Sequence, residues 1–212
     1  YSGAVYRYLL SLLGDVHAAD EVFQQFALEF VRGGFRHAHP DRGQFRNYLK
    51  VSLVRLASAY RKKERRGVQN KPLEDSSLEA FEGRPDDELL QRFVKSCRDE
   101  FISRAWTALR DLTEKTGQPF FHALQYRSQH PEASSQEMAE ALTAALRPER
   151  PFTAAGIRKV LQRSREQFSD LLLREVARTL EAPTREELEE EVVSLGLQAY
   201  CRSALRRRYA EP

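Results

Sequence analysis

Apolar residues recur along most of this chain at steps of three and four, the spacing that gathers them on one face of an α-helix. From Tyr1 to Leu13 the stripe is Val5, Tyr8, Leu9 and Leu12, and Gly14-Asp15 interrupts it. Asp15 is placed to cap a second helix that runs to about Arg32, with Ala19, Val22, Phe23, Phe26, Ala27 and Phe30 on one face and Gly33-Gly34 as its stop. A loop over residues 33–43 follows. A third helix is expected from Gln44 to Arg66, with Phe45, Leu49, Leu53, Leu56 and Tyr60 inward and a basic end, Arg61 to Arg66.

Residues 67–87 are poor in periodicity and hold Gly67, Asn70, Pro72, Gly83 and Pro85, so they read as a linker. Beyond it, a long helix is expected from Glu88 to Lys115, with Leu89, Phe93, Phe101, Ile102, Ala105, Trp106 and Leu109 as its stripe and Gly117-Pro119 as its end. Shorter helices are expected over Phe120 to Gln129 and Ser135 to Leu146. A longer one is expected from Thr153 to about Leu180, and a single last helix from Thr184 to Arg208. No segment alternates as a strand would. The pattern predicts an all-α fold of two helical domains with a C-terminal helical extension: residues 1–66, a linker over 67–87, residues 88–180, and residues 181–212.

Composition sharpens this picture. The 34 Lys and Arg nearly balance the 31 Asp and Glu, but the charge is unevenly placed. Residues 1–72 carry a net +7, residues 73–119 a net −4, residues 120–180 a net +2 and residues 181–212 a net −2. Alternating blocks of this kind suit a chain that meets a polyanion through selected faces, and they equally suit solvated helix surfaces. No run reaches the roughly 18 apolar residues of a membrane span, and the first residues lack the basic-then-apolar order of a signal peptide, so a cytoplasmic protein without membrane contact is expected. Cys97 and Cys201 lie far apart without metal-ligand spacing and read as small core residues. No paired carboxylates, nucleophile and base, phosphate loop or metal cluster stands out, and His37 and His39 fall in a loop where solvent-facing roles fit; neither an enzyme nor a cofactor is expected.

Two segments carry candidate chemistry. Short helix, connector, then a helix opening Ala154-Ala155-Gly156-Ile157-Arg158-Lys159-Val160 is the layout of a helix-turn-helix. The second helix of that motif enters the DNA major groove by its N-terminal end, which must be slim and polar. Thr153 caps it, Arg158, Lys159, Gln162, Arg163 and Arg165 can reach phosphates or base edges, and Ile157, Val160, Leu161 and Phe168 hold the inner face. The connector of about ten residues, with Pro148 and Pro151, is longer than the usual tight turn, and an ordinary helical hairpin fits the same pattern. The third helix is the other candidate. Its expected surface includes Arg46, Asn47, Lys50, Arg55, Arg61, Lys62, Lys63 and Arg65 with Phe35, Phe45 and Tyr48 nearby, cations and rings that suit unpaired bases.

In this order the motifs resemble a known family. Gly14 to Phe26, with Ala18-Ala19-Asp20-Glu21-Val22 and Gln24-Gln25, is similar to the region-two helix of RNA polymerase sigma factors of the extracytoplasmic-function (ECF) type. Gln44 to Leu49 with Arg61-Lys62-Lys63 resembles the next helix, and residues 135–171 resemble region four. Thr116 to Pro119, Tyr126 to Pro131, Arg163 to Phe168, Leu171 to Ala177 and Glu187 to Val192 resemble the extended sigma factors common in planctomycete-like bacteria. The resemblance implies a three-helix region two, a helix-turn-helix region four and a role in transcription initiation. Asp20, Glu21, Gln24 and Gln25 would dock on the beta-prime clamp helices of core RNA polymerase, and region four would meet the beta flap. Arg36, Arg42, Arg46, Asn47, Lys50, Arg61, Lys62 and Lys63 would serve the minus-ten promoter element. Thr153, Arg158, Lys159, Gln162, Arg163 and Arg165 would read the minus-thirty-five element. Leu56 and Ala59 replace the Asn and Asp of many relatives and the region-four connector is long, so promoter sequence does not transfer, and Tyr1 falls inside the first region-two helix, which implies a trimmed chain or a missing N-terminal turn.

The last segment has no counterpart in minimal relatives. Its acidic start, Glu186 to Glu191, and basic end, Arg202 to Arg208, suit the dipole of a single helix; the other reading is a mask over a DNA-binding face or a seat for an anti-sigma factor or other regulator. Two rivals to the sigma reading stand: a helix-turn-helix regulator acting on duplex DNA without polymerase, and a helical protein-binding adaptor.

Overall fold

The computed structural model describes residues 2–33, 45–68, 87–180 and 182–209, and these are all-α, with no strand among them. Nine helices appear among the described residues: α1 (Ser2–Leu13), α2 (Val16–Val31), α3 (Phe45–Val68), α4 (Asp87–Thr116), α5 (Phe120–Gln129), α6 (Ser135–Leu146), α7 (Ala154–Ala177), α8 (Arg185–Ser194) and α9 (Gln198–Arg208). No described helix is long and apolar enough to cross a membrane. The expected linker lies outside the described residues over 69–86. The chain divides into two compact units, residues 1–100 and 101–212, and the division falls within α4.

In the first unit α1, α2 and α3 pack against one another. Asp15 caps α2, its side chain accepting from the Ala18 amide at 2.7 Å, and Gly14 makes the turn before it at φ +71°. The core is Val5, Tyr8 and Leu9 from α1, Ala19, Val22 and Phe26 from α2, and Leu49, Leu53 and Leu56 from α3. Phe93 and Cys97, from the first part of α4, are fully buried in the same unit, with the Phe93 ring 5.0 Å from that of Tyr8. Small residues on α1 let α4 approach: the Ser96 hydroxyl donates to the Ala4 carbonyl at 3.0 Å, and a Cβ on Gly3 would meet Glu100 Oε2 at 2.6 Å. Arg7 closes the seam by donating to Glu100 at 2.6 Å.

The second unit holds the rest of α4 and the helices from α5 onward. Trp106 packs its indole against Phe121 and Phe168, at centroid distances of 5.7 and 5.1 Å, and so ties α4, α5 and α7 together. The buried Thr113 hydroxyl accepts from the Phe121 amide at 2.9 Å, satisfying a donor at the start of α5 that Pro119 leaves without a side-chain cap. Arg104 and Arg178 flank the buried Glu175 on α7. Cys97 and Cys201 are both buried.

The C-terminal segment departs from expectation. In place of one helix there are two, separated at Gly196, whose φ of +67° belongs to the left-handed region that glycine adopts at little cost. The chain turns there because Leu195 and Leu197, on either side, are both fully buried, which a continuous helix would not allow for residues two apart. The acidic and basic halves therefore belong to different helices. Glu186 and Glu187 sit in the first turn of α8 behind a capping box with Thr184, and Arg206, Arg207 and Arg208 sit in the last turn of α9, so each charge group complements its own helix end.

Candidate nucleic-acid interface

Three helices of the second unit build the site. Ala123 of α5, Met138, Ala139 and Leu142 of α6 and Ile157 and Leu161 of α7 form one buried cluster. Ser134 caps α6 through a reciprocal pair, accepting from the Glu137 amide at 3.2 Å while its own amide donates to Glu137 Oε2 at 2.7 Å. These bonds hold the Glu137 carboxyl below its ordinary range, the Ser134 amide being the largest cause. Arg127 fixes the turn between α5 and α6 by donating to the carbonyls of Pro131 and Ala133 at 2.8 and 2.7 Å. Sequence reasoning assigned no role to Arg127, since one cation among the nine of residues 120–180 carries no signal until its partners are placed.

The connector between α6 and α7, residues 147–153, is seven residues long, shorter than the ten or so expected. Arg147 ends α6 in the left-handed conformation, and the Phe152 amide donates to the Thr143 hydroxyl at 2.9 Å, which seats Phe152 on the core cluster. Thr153 then caps α7, its hydroxyl accepting from the Gly156 amide at 3.1 Å. A Cβ on Gly156 would stand only 3.2 Å from that hydroxyl, so the first turn is closely fitted as well as slim.

Along the first half of α7 the expected division between faces holds. Ile157, Leu161 and Phe168 are buried and Val160 half-buried, while Arg158, Lys159, Gln162, Arg163 and Arg165 are exposed. None of those four cations has an ion-pair partner among the described residues, and Gln162 donates to Glu166 at 3.1 Å. No acidic residue lies in the first turn of α7. Positive side chains thus reinforce the positive pole of the helix, a field that attracts anions. Thr153 is committed to capping through its lone pair, with its hydroxyl hydrogen left to donate.

The first unit supports its expected sites unevenly. Asp20, Glu21, Gln24 and Gln25 share one edge of α2, with Glu21, Gln24 and Gln25 exposed. Asp20 accepts from the Tyr6 hydroxyl, which raises that phenol above its usual range. Glu21 pairs with Lys63 at 3.3 Å, and Gln25 bonds Glu29 at 3.4 Å. Arg61 donates to the Leu12 carbonyl and so caps the last turn of α1; Lys62 is half-buried and Lys63 exposed. Lys50 is corrected: it is buried, 2% exposed, because position 50 shares the inward face of α3 with Leu53 and Ala57. It is no surface contact. Arg36 and Arg42 lie outside the described residues, as do the side chains of Arg46 and Asn47.

The C-terminal hairpin meets α7 beyond this exposed stretch. The Ser169 hydroxyl donates to the Tyr200 carbonyl at 2.6 Å and lies 3.2 Å from the Ser203 hydroxyl. Arg207 donates to the Glu166 carbonyl at 3.1 Å and to Asp170 at 2.7 Å. Within the second unit α9 therefore lies on residues 166–173 and leaves Arg158, Lys159, Gln162 and Arg163 uncovered. Comparison of this chain with family models, with curated proteins and with solved structures finds no match.

Proposed function

We propose that this chain is a non-enzymatic sigma factor of the ECF type, acting with core RNA polymerase to direct promoter-specific initiation. The observation that carries the reading is α7: a capped, slim first turn and an uncovered cationic face, held on a compact α5–α6–α7 core. That arrangement supports docking of α7 in a major groove, where Arg158, Lys159, Arg163 and Arg165 meet phosphates or guanine edges and Gln162 meets adenine. The polymerase contact is carried by the resemblance of the α2 edge. On this reading the Glu21–Lys63 pair opens when the polymerase arrives, at little cost because both partners are exposed. Melting of the minus-ten element needs no covalent step, since capture of an unstacked base offsets an unstacking cost of a few kcal/mol.

Run-off transcription from a promoter library, with core polymerase and the purified chain, tests the proposal. Specific transcripts are expected, and Arg158→Ala/Lys159→Ala is expected to reduce them together with duplex affinity. A folded chain that binds duplex DNA yet never directs initiation would favour the regulator without polymerase. One that binds neither DNA nor polymerase would favour the adaptor.

A further inference from the structure

On α7 the residues Lys159, Arg163, Asp170 and Arg174 project within about 60° of one another around the helix axis, on a line about 22 Å long. The line is cationic except at Asp170 and at Glu166, which lies about 20° from Lys159 around the axis and accepts from Gln162 at 3.1 Å. There the C-terminal hairpin intervenes: Arg207 donates to Asp170 at 2.7 Å and to the Glu166 carbonyl at 3.1 Å. Contacts of Tyr200 and Ser203 with Ser169, and of Arg207 with Glu166, set α9 antiparallel to α7, so the arginine-bearing end of α9 points toward the exposed cations. Arg174, Arg207 and Arg208 line one cleft of about 300 Å³ beside Asp170, three guanidinium groups against one carboxylate. Arg174 and Arg208 are exposed and have no ion-pair partner among the described residues.

We propose that the hairpin completes a phosphate-tracking stripe along α7: Arg207 neutralises Asp170 in the middle of the line, and Arg208 joins Arg174 to hold a DNA backbone phosphate beyond those met by Lys159 and Arg163. This inference rests on the nucleic-acid reading of α7. It makes the C-terminal extension part of the DNA grip rather than its mask.

The test is fluorescence anisotropy of the full chain with a fluorescein-labelled mixed-sequence duplex of roughly 20 base pairs, two helical turns, as a function of KCl. Each lost phosphate contact flattens the salt slope by about 0.9, so for Arg174→Gln/Arg208→Gln, which releases the one phosphate the pair holds, the slope should flatten by about 0.9, and over a fourfold rise in salt the wild type should lose about 3.5-fold more affinity than the variant. Arg174→Lys/Arg208→Lys should restore the slope, and Arg110→Gln/Lys115→Gln, on α4, should leave it unchanged. Arg207→Gln should weaken binding, and adding Asp170→Asn should recover part of the loss. An unchanged slope in the Arg174/Arg208 variant, while Arg158→Ala/Lys159→Ala still weakens binding, overturns this proposal alone. A wild-type chain that fails to bind the duplex overturns both readings.

Discussion

Thr153 offers a way to separate what α7 needs for folding from what it needs for DNA. Its hydroxyl satisfies the Gly156 amide at 3.1 Å, one of the donors that a helix start leaves unpaired, from an extended backbone with φ −104° and ψ 156°. Thr153→Ala removes that acceptor and should cost about 1 kcal/mol. Trp106 is the sole tryptophan and packs in the second unit against Phe121 and Phe168, so its fluorescence reports unfolding of that unit. With a urea dependence of about 1.5 kcal/mol/M for a unit of this size, the midpoint should fall by about 0.7 M. Thr153→Asn keeps an acceptor and should hold the midpoint near wild type. Thr153→Asp keeps the acceptor, adds a negative charge at the positive helix pole and should match or exceed wild-type stability by up to about 1 kcal/mol. The same carboxylate would stand where DNA phosphates approach. Thr153→Asp should therefore be the outlier, stable yet weak in duplex binding, with Asn near normal in both. If Asn is as destabilising as Ala the capping role is wrong, and if Asp binds duplex as well as Asn the placement of DNA at this end of α7 is wrong.

Other expectations follow from single groups. The Tyr8 hydroxyl is buried without a hydrogen-bond partner among the described residues and its phenol is pushed up to about 12 by burial, so Tyr8→Phe should raise stability by about 1 kcal/mol in urea melts, and a loss would show an unrecognised partner. Glu137 is held below its ordinary value in the fold, so its contribution is present above the unfolded carboxyl value and disappears as pH falls through the folded one. Acid titration of Glu137→Gln should accordingly show a shallower loss of stability below about pH 4.5 than wild type, and an identical curve would refute the capping box. Gly196→Ala places a side chain at φ +67° and should cost about 1–2 kcal/mol by thermal melting; a neutral effect would mean that the turn between α8 and α9 is not constrained.

The helices were legible wherever the inward stripe was complete and a cap or glycine marked the end. Asp15, Thr153 and Gly117 fall in the structure where their chemistry predicts, and α5 and α6 begin and end at the expected residues. Lys50 was not legible as buried, because an amphipathic pattern marks a lysine as outward, and only the packing of α3 shows that its stem shares a face with Leu53 and Ala57. The break at Gly196 was hidden because one glycine in a periodic run is tolerated and the charges on either side mimic the dipole of one continuous helix. Buried Glu191, 4% exposed among a run of acidic residues, was equally invisible, since composition does not say which carboxylate of a run turns inward. The division of the chain within α4 leaves no trace in composition, because Phe93, Cys97, Phe101 and Ala105 continue one unbroken stripe across it.

α7 divides its work along its length, and the division explains why an extension belongs on this helix. Its first half buries only one side, on α5 and α6, and leaves a cationic face open. Its second half is enclosed more widely, with Phe168, Ser169, Leu172, Leu173 and Val176 all buried. An apolar surface that broad is unfavourable in water unless something covers it, and α9, seated by the Ser169 and Arg207 bonds, is what lies there. Deleting the chain after Leu180 would thus do more than unmask a surface: it would uncover Leu173 and leave Asp170 without Arg207. A loss of DNA binding on such a deletion would mix unfolding with electrostatics, whereas the paired substitutions of Arg207 and Asp170 change charge at one point and keep the hairpin in place.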